Sequence, residues 1–135
     1  MYLIFDTETT GLPKDWKQPF TNIDNWPRLV QLAWQLHDET GKLLSNENFI
    51  IKPDGFEIPY AVSKVHGITT ERANKDGVDI KVALEAFHKD LQKSTYNVGH
   101  NIEFDVNVTG CEFFRLGDLE PLVTTLEAID TKDVS

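Results

Sequence analysis

Two acidic residues, Asp6 and Glu8, stand two positions apart at the end of an apolar opening segment. Residues 2–5 are predicted to form a short core strand. Side chains at positions i and i+2 of a strand point to the same side, roughly 6 to 7 Å apart, so the two carboxylates should converge. Because no Lys or Arg precedes Lys14, their charge must be neutralised from elsewhere. Hard oxygen ligands favour Mg²⁺ or Mn²⁺, so the pair predicts a divalent-metal site.

A third acidic residue, Asp105, is predicted to lie one turn into a helix that follows directly from a strand at residues 96–99. If that strand is parallel to the first, the carboxyl ends of both strands meet at the edge of the sheet where open α/β sheets bind ligands. Asp105 would then meet Asp6 and Glu8. Three carboxylates from two distant segments form a better metal constellation than any of them alone.

Each of these acids also has a simpler interpretation. Asp6 and Glu8 could be solvated residues at a strand end, and Asp105 could be an acid that the positive end of a helix favours. Residues 6–10 (DTETT) could also form the nucleophile loop of a phosphohydrolase. That chemistry would require a second aspartate where Glu8 stands, so it ranks low.

The predicted elements place these residues in a mixed α/β sheet. An apolar segment at 29–37, a turn with Gly41, and a segment at 44–51 should complete a three-strand antiparallel meander with the first strand. Helices are predicted at 61–66, from 69 or 70 to Gly77, from Asp79, and from Asn101, which is placed to cap its helix. A weak strand is expected at 128–130. This order predicts parallel strands joined to the meander and helices packed on the sheet.

Length and composition point to one domain. A chain of 135 residues with 40% hydrophobic and 26% charged residues has the ordinary globular mix. No apolar run approaches the ~20 residues of a membrane span, and the start lacks a signal-peptide pattern. With a single cysteine, Cys111, we expect a cytoplasmic protein. The net charge of −9 argues against broad electrostatic attraction to nucleic acid, so a phosphate partner must be held locally.

Three segments in order resemble a known family. Residues 5–12 (FDTETTGL) and 99–105 (GHNIEFD) resemble the first two motifs of the DEDD, or DnaQ-like, 3′-to-5′ exonucleases. Residues 65–69 (VHGIT) are similar to an element of the polymerase-associated members, such as the proofreading epsilon subunit of bacterial DNA polymerase III. The resemblance implies a ribonuclease H-like fold. It also implies two-metal hydrolysis that releases mononucleotides from DNA 3′ ends, in proofreading or repair.

The resemblance also implies site residues. Asp6 would bridge two Mg²⁺ or Mn²⁺ ions, Glu8 would help hold one, and Asp105 would hold the other, so that these three would be both the metal ligands and the catalytic residues. The implied partner is a single-stranded DNA 3′ end, with RNA less favoured, and a DNA polymerase subunit is a further candidate. The implied substrate contacts are Thr7, Thr10, Leu12, His66 and Asn101.

Members of the family continue into a third motif with a fourth carboxylate and a histidine or tyrosine, and residues 1–135 do not contain it. We therefore expect an exonuclease-like domain that is incomplete at its C-terminus, weakly active or inactive as written, and prone to self-association through an exposed apolar face of the sheet. The alternative is a non-catalytic remnant of the same fold that binds nucleic acid or a protein partner.

Overall fold

The computed structural model describes residues 1–133. Its strands are β1 (Tyr2–Thr9), β2 (Leu29–His37), β3 (Leu43–Ile50), β4 (Tyr96–Gly99) and β5 (Glu127–Asp130). Its α-helices are α1 (Tyr60–His66), α2 (Thr70–Asp76), α3 (Ile80–Leu91) and α4 (Ile102–Leu116), and short 3₁₀ turns cover Leu122–Thr124 and Thr131–Asp133.

The five strands form one mixed sheet in the order β3-β2-β1-β4-β5. β1 pairs antiparallel with β2, and β2 pairs antiparallel with β3, which is the predicted meander. β4 is parallel to both β1 and β5. The predicted α/β, ribonuclease H-like mixed sheet with flanking helices is confirmed, and β1 lies at its centre with its carboxyl end beside that of β4.

Alternation along β1 separates a core face from an outer face. Leu3, Phe5 and Thr7 are buried, whereas Ile4 and Asp6 are exposed. Because successive strand residues point to opposite sides, one face of the sheet carries the helices and the other carries the acidic pair. The two faces therefore have different chemistry.

The helices bury apolar stripes against the core face. In α3 the stripe is Ala83, Leu84, Phe87 and Leu91, which includes three of the predicted positions. The ring of Phe87 lies 5.1 Å from that of Phe5 and 5.0 Å from that of Trp34, between centroids. In α4 the buried set includes Val108, Cys111 and Phe113. Burial of this kind is the main stabilising contribution to the fold.

Helix ends follow the predicted signals in three cases. Thr69 accepts a hydrogen bond from the Arg72 N–H at the start of α2, and Asp79 accepts one from Lys81 at the start of α3. Gly67 ends α1 in the left-handed conformation, with φ of 79°. These ends are encoded locally because a capping side chain or a glycine satisfies the terminal backbone groups.

Residues 13–27 form an irregular excursion between β1 and β2, as predicted, and side chains hold it firmly. The buried Asn25 side chain accepts a hydrogen bond from the Asp15 N–H (2.8 Å) and donates one to the Asp15 carbonyl (2.9 Å). Trp26 is buried and its indole N–H donates to the Pro19 carbonyl. Arg115 of α4 donates to the carbonyl of Trp26 (2.8 Å). The excursion is therefore an ordered part of the fold.

A buried ionic cluster joins this region to α4. Glu112 is only 1% exposed, and its carboxylate accepts hydrogen bonds from the side chains of Arg28 and Arg115 and from the Leu29 N–H. A buried carboxylate is tolerated only when such partners satisfy it. The cluster fixes the distance between α4 and the start of β2.

The outer face of the sheet carries an apolar groove between β1, β4 and β5. Tyr2 stacks on Tyr96 with ring centroids 5.2 Å apart, and Ile4 is exposed. Val98 and Ile129 also line the groove, and its other side is formed by His37, Asp38, Glu39 and Gly41. Among residues 1–133, no helix is both long enough and apolar enough to cross a membrane.

Candidate active site

The first motif and the second motif meet through a buried contact between Thr7 and Asp105. The Thr7 hydroxyl of β1 donates a hydrogen bond to the Asp105 carboxylate of α4, with 2.5 Å between the two oxygens. Asp105 is 3% exposed, and the residues are 98 positions apart in sequence. The parallel pairing of β1 with β4 makes this possible, because α4 begins directly after β4 at the carboxyl end of β1.

Burial raises the pKa of Asp105 from its ordinary value of 3.8 to about 7. Desolvation of the charged form is the largest cause, and the hydrogen bond from Thr7 opposes it. The negative charges of Asp6 and Glu8 raise the pKa further. The charges of Asp6 and Glu8 therefore act on Asp105 electrostatically, and burial favours the neutral form of Asp105.

Asp6 and Glu8 share the outer side of β1, as predicted. Asp6 is exposed and Glu8 is half-buried. Neither side chain forms an ion pair or a hydrogen bond with any other residue of 1–133. Asp6 lies in a surface groove that is also lined by Gly99, His100 and Thr131. His100 is exposed.

The donor set matches a hard divalent cation in chemistry. All three groups are carboxylates. Asp6 and Glu8 have no cationic partner among residues 1–133, and their charges raise the pKa of Asp105. A bound cation would relieve that repulsion. Within the described part of the chain, however, no three His, Cys, Asp or Glu side chains form a ready-made metal cluster. The Asp105 carboxylate is directed to Thr7 on the core side, whereas Asp6 and Glu8 lie on the outer side.

Three predicted substrate residues have distinct environments in the structure. Leu12 follows the first motif and is 72% exposed. The Thr10 hydroxyl accepts a hydrogen bond from the Arg28 N–H (3.0 Å), so it joins the end of β1 to the start of β2. His66 is half-buried at the end of α1, where its Nδ1 accepts a hydrogen bond from the Ile68 N–H (3.1 Å). Leu12 is the one whose side chain is open to a ligand.

Asn101 occupies the capping position of α4, as predicted, but its side chain forms no capping hydrogen bond. Asp130, at the end of β5, accepts hydrogen bonds from the backbone N–H groups of Asn101 (2.9 Å) and Ile102 (3.3 Å). Asn101 adopts φ of 56°, and its side-chain oxygen accepts a hydrogen bond from Lys132 instead. A carboxylate satisfies exposed helix N–H groups and complements the helix dipole, so Asp130 displaces the amide.

Sequence reasoning assigned no role to Asp130, and the signal that could have identified it was its place at the end of a parallel strand. Some desolvation raises its pKa, but the hydrogen bonds from the Lys132 side chain and from the backbone of Lys132 and Asn101 prevail and lower the pKa to about 2. Asp130 is thus ionised and paired at the start of the helix that carries Asp105.

Gly99 allows α4 to begin close to β1. A Cβ atom at this position would lie 2.9 Å from the Phe5 carbonyl oxygen and 2.8 Å from Cδ1 of Ile102. Both distances are shorter than a carbon atom tolerates. The second motif therefore needs a residue without a side chain here, in order to bring Asp105 to Thr7.

A model of the exonuclease family RNase_T matches residues 3–135. The chain belongs to this exonuclease family. The membership confirms the resemblance to the DEDD exonucleases and identifies the protein as an exonuclease by family. A comparison with curated protein sequences gave no significant match.

Solved structures of Escherichia coli Exonuclease I share the fold. The complex with a dA16 oligonucleotide has a TM-score of 0.75 and 24% sequence identity over 98% of this chain. The metal-free form of the complex with single-stranded DNA has a TM-score of 0.77, also with 24% identity over 98% of this chain. In both comparisons the chain spans 28% of the length of Exonuclease I.

Proposed function

We propose that the protein is a 3′-to-5′ exonuclease that removes mononucleotides from the 3′ ends of single-stranded DNA. The observation that carries the proposal is the contact between Thr7 of the first motif and Asp105 of the second, which brings the two motifs together at the carboxyl ends of β1 and β4. Membership in the exonuclease family supports the reaction class. The bound oligonucleotides in the Exonuclease I structures support the substrate class.

Asp6, Glu8 and Asp105 would hold the divalent cations, Mg²⁺ or Mn²⁺, at the edge of β1. When bound, two such ions supply activation of the attacking water and stabilisation of the leaving 3′ oxygen. Asp6 and Glu8 are available for this role because no cationic side chain of residues 1–133 pairs with them. To join them, the Asp105 carboxylate must be ionised and must turn from Thr7 towards Asp6 and Glu8. Cation binding lowers the pKa of a ligating carboxylate.

The remaining predicted residues would position the substrate. Thr7 holds the Asp105 carboxylate through its hydroxyl, so it acts as a positioning residue. Leu12 presents an exposed apolar side chain that would lie against the terminal base. Thr10 would act by holding the loop that presents Leu12, since its hydroxyl bonds to Arg28. We propose nearby substrate contacts for His66 and Asn101.

A polarity assay tests this proposal. With 5′-labelled single-stranded DNA and Mg²⁺, we expect a ladder that shortens slowly from the 3′ end, because the 135-residue polypeptide is expected to be weakly active. With 3′-labelled DNA we expect labelled mononucleotide to be the first product. Asp6→Asn and Asp105→Asn should lower the rate about 100-fold or more, because each removes a charged ligand of the ions. Asp54→Asn, an exposed change elsewhere, is the control. The proposal would be refuted if the nucleotide at the 5′ end of the DNA were released first. Full activity of both site variants would also refute it.

A second candidate function has support from one observation. Among residues 1–133, no three His, Cys, Asp or Glu side chains lie close enough together to hold a metal ion. This observation favours a polypeptide that binds DNA ends but hydrolyses DNA slowly by itself. Calorimetric titration with Mn²⁺ separates the two functions for the 135-residue polypeptide. Two tight sites would support the nuclease, and one weak site together with slow hydrolysis would support the binding module.

We further propose a cytoplasmic protein that acts in proofreading or repair, with a DNA polymerase subunit as a candidate partner. The single cysteine, Cys111, is buried and unpaired, as suits a reducing compartment. Competition between DNA and RNA oligonucleotides of equal length would test the preference for DNA. Co-elution with a polymerase subunit in gel filtration would test the partner.

A further inference from the structure

One exposed tryptophan stands beside the candidate active site. Trp16 is 50% exposed, whereas Trp26 and Trp34 are buried. Its indole packs against Phe104 with ring centroids 5.5 Å apart, and Phe104 immediately precedes Asp105 in α4. The other part of the indole ring is open to solvent next to the helix that carries the buried carboxylate.

Two exposed lysines flank this tryptophan in the sequence. Lys14 and Lys17 are exposed, and within the part of the chain that the structure describes neither forms a salt bridge or a side-chain hydrogen bond. Asp15 lies between them, but its carboxylate accepts a hydrogen bond from the Lys17 N–H. In a chain of net charge −9, residues 14–17 (KDWK) contain two lysines and one aspartate around the aromatic ring, so this short segment has more positive than negative charge.

The segment that presents Trp16 is held in place before any ligand binds. The Asn25 side chain accepts a hydrogen bond from the Asp15 N–H and donates one to the Asp15 carbonyl. The Lys14 N–H donates to the Asn25 backbone carbonyl (3.1 Å). Arg115 of α4 ties the following part of the segment to the helix. An aromatic side chain on a rigid support loses little conformational entropy when it binds a ligand.

We propose that Trp16, Lys14 and Lys17 form a stacking platform for single-stranded nucleic acid: a base stacks on the exposed face of Trp16, and the lysines contact the adjacent phosphates. Stacking on an aromatic ring is available to every base, and flanking cations follow the backbone. The inference rests on the proposed function for its ligand class. It places a second binding site in the excursion between β1 and β2, separate from the proposed metal site at the end of β1.

The test measures binding without catalysis. Fluorescence anisotropy of a labelled oligothymidylate is recorded in EDTA, so hydrolysis plays no part. We expect Trp16→Ala to weaken binding about 5- to 150-fold. Trp16→Phe should retain most of the affinity because it keeps an aromatic face. The quenching of tryptophan fluorescence that DNA causes in the wild type should be lost in this variant, since the other two tryptophans are buried.

Phe114 provides a matched control. It lies on the same helix as Phe104, is 49% exposed, and packs edge-on against Phe20. Phe114→Ala removes a comparable exposed ring and should leave the affinity unchanged. Thermal unfolding of each variant confirms that the fold is intact. Equal losses in Trp16→Ala and Phe114→Ala, no loss in either, or no measurable binding by the wild type at low salt would overturn the proposal.

Salt dependence tests the role of the lysines. Replacing Lys14 and Lys17 with glutamine should lower the slope of log affinity against log salt by up to about 1.4, at ~0.7 for each phosphate contact of a single strand. Lys75→Gln, at an exposed site on α2, should not change the slope. An unchanged slope in the double variant overturns the assignment. If the protein binds DNA through Trp16 but does not hydrolyse it in Mg²⁺, the nuclease proposal fails and the stacking platform stands. The failure of one proposal can therefore be distinguished from the failure of the other.

Discussion

Replacing Asp105 with asparagine should stabilise the metal-free protein at neutral and alkaline pH. The folded state raises the pKa of Asp105 from 3.8 to about 7, so the folded protein holds a proton that the unfolded chain releases. At pH values well below ~4, the Asp105 carboxyl group is protonated in both the folded and the unfolded state, so it does not lower the free energy of unfolding. As the pH rises towards 7, the unfolded state gains stability from ionisation and the folded protein becomes relatively less stable.

The size of this effect follows from the shift. About 3 pKa units at ~1.36 kcal/mol each correspond to an upper bound of about 4 kcal/mol above pH 7. Asp105 is buried, so solvent screening reduces this figure little. Asparagine has nearly the same shape and its side-chain oxygen can still accept the hydrogen bond from Thr7. We therefore expect Asp105→Asn to be about 2 to 4 kcal/mol more stable than the wild type at pH 8 and nearly equal to it at pH 4.

Urea unfolding in EDTA at pH 4, 6 and 8 measures this difference. Other carboxylates titrate in both proteins, so the difference between the two free energies of unfolding reports Asp105 alone. Asp54→Asn should show no pH-dependent difference, because Asp54 is exposed. With Mn²⁺ present, the wild type should gain stability and the Asp105→Asn variant should gain less. A variant that is less stable than the wild type at pH 8, or a difference that does not change with pH, would refute the reasoning.

Three further predictions concern the framework of the site. Glu112→Ala should cost about 3 to 5 kcal/mol in urea unfolding because it leaves two arginines without their buried partner, whereas Glu85→Ala, an exposed change, should cost less than about 0.5 kcal/mol. Asp130→Ala should accelerate amide hydrogen exchange at Ile102, and unchanged exchange would contradict its capping role. Gly99→Ala should cost about 1 to 3 kcal/mol, since its methyl group would collide with the backbone of β1; wild-type thermal stability would show that this contact is not tight.

Much of the fold could be predicted from the sequence because its signals are local. The apolar run at residues 2–5 indicated the start of β1, which continues to Thr9 in the structure. Thr69, Asp79 and Gly67 marked the ends of their helices where the structure has them. The spacing of Asp6 and Glu8 placed both on one side of a strand, and the structure agrees. These features depend on interactions between residues a few positions apart, so a short stretch of sequence is sufficient to define them.

The environment of each site residue was decided only by the tertiary structure. The sequence contained Asp105, but its burial and its bond to Thr7 depend on the parallel pairing of β1 with β4. Asp130 replaces Asn101 as the cap of α4 because β5 ends beside that helix. Desolvation and hydrogen bonding between residues far apart in the chain set these properties, and both exist only after the sheet and helices have packed.

The same division applies to the tryptophans. In the sequence, Trp16 and Trp26 lie in one segment without a regular pattern, and nothing local distinguishes them. Packing buries Trp26 beneath the excursion and leaves Trp16 half open beside α4. The residue types and their order determined the family. The packing of distant elements into one close-packed core determined which side chains are exposed to solvent.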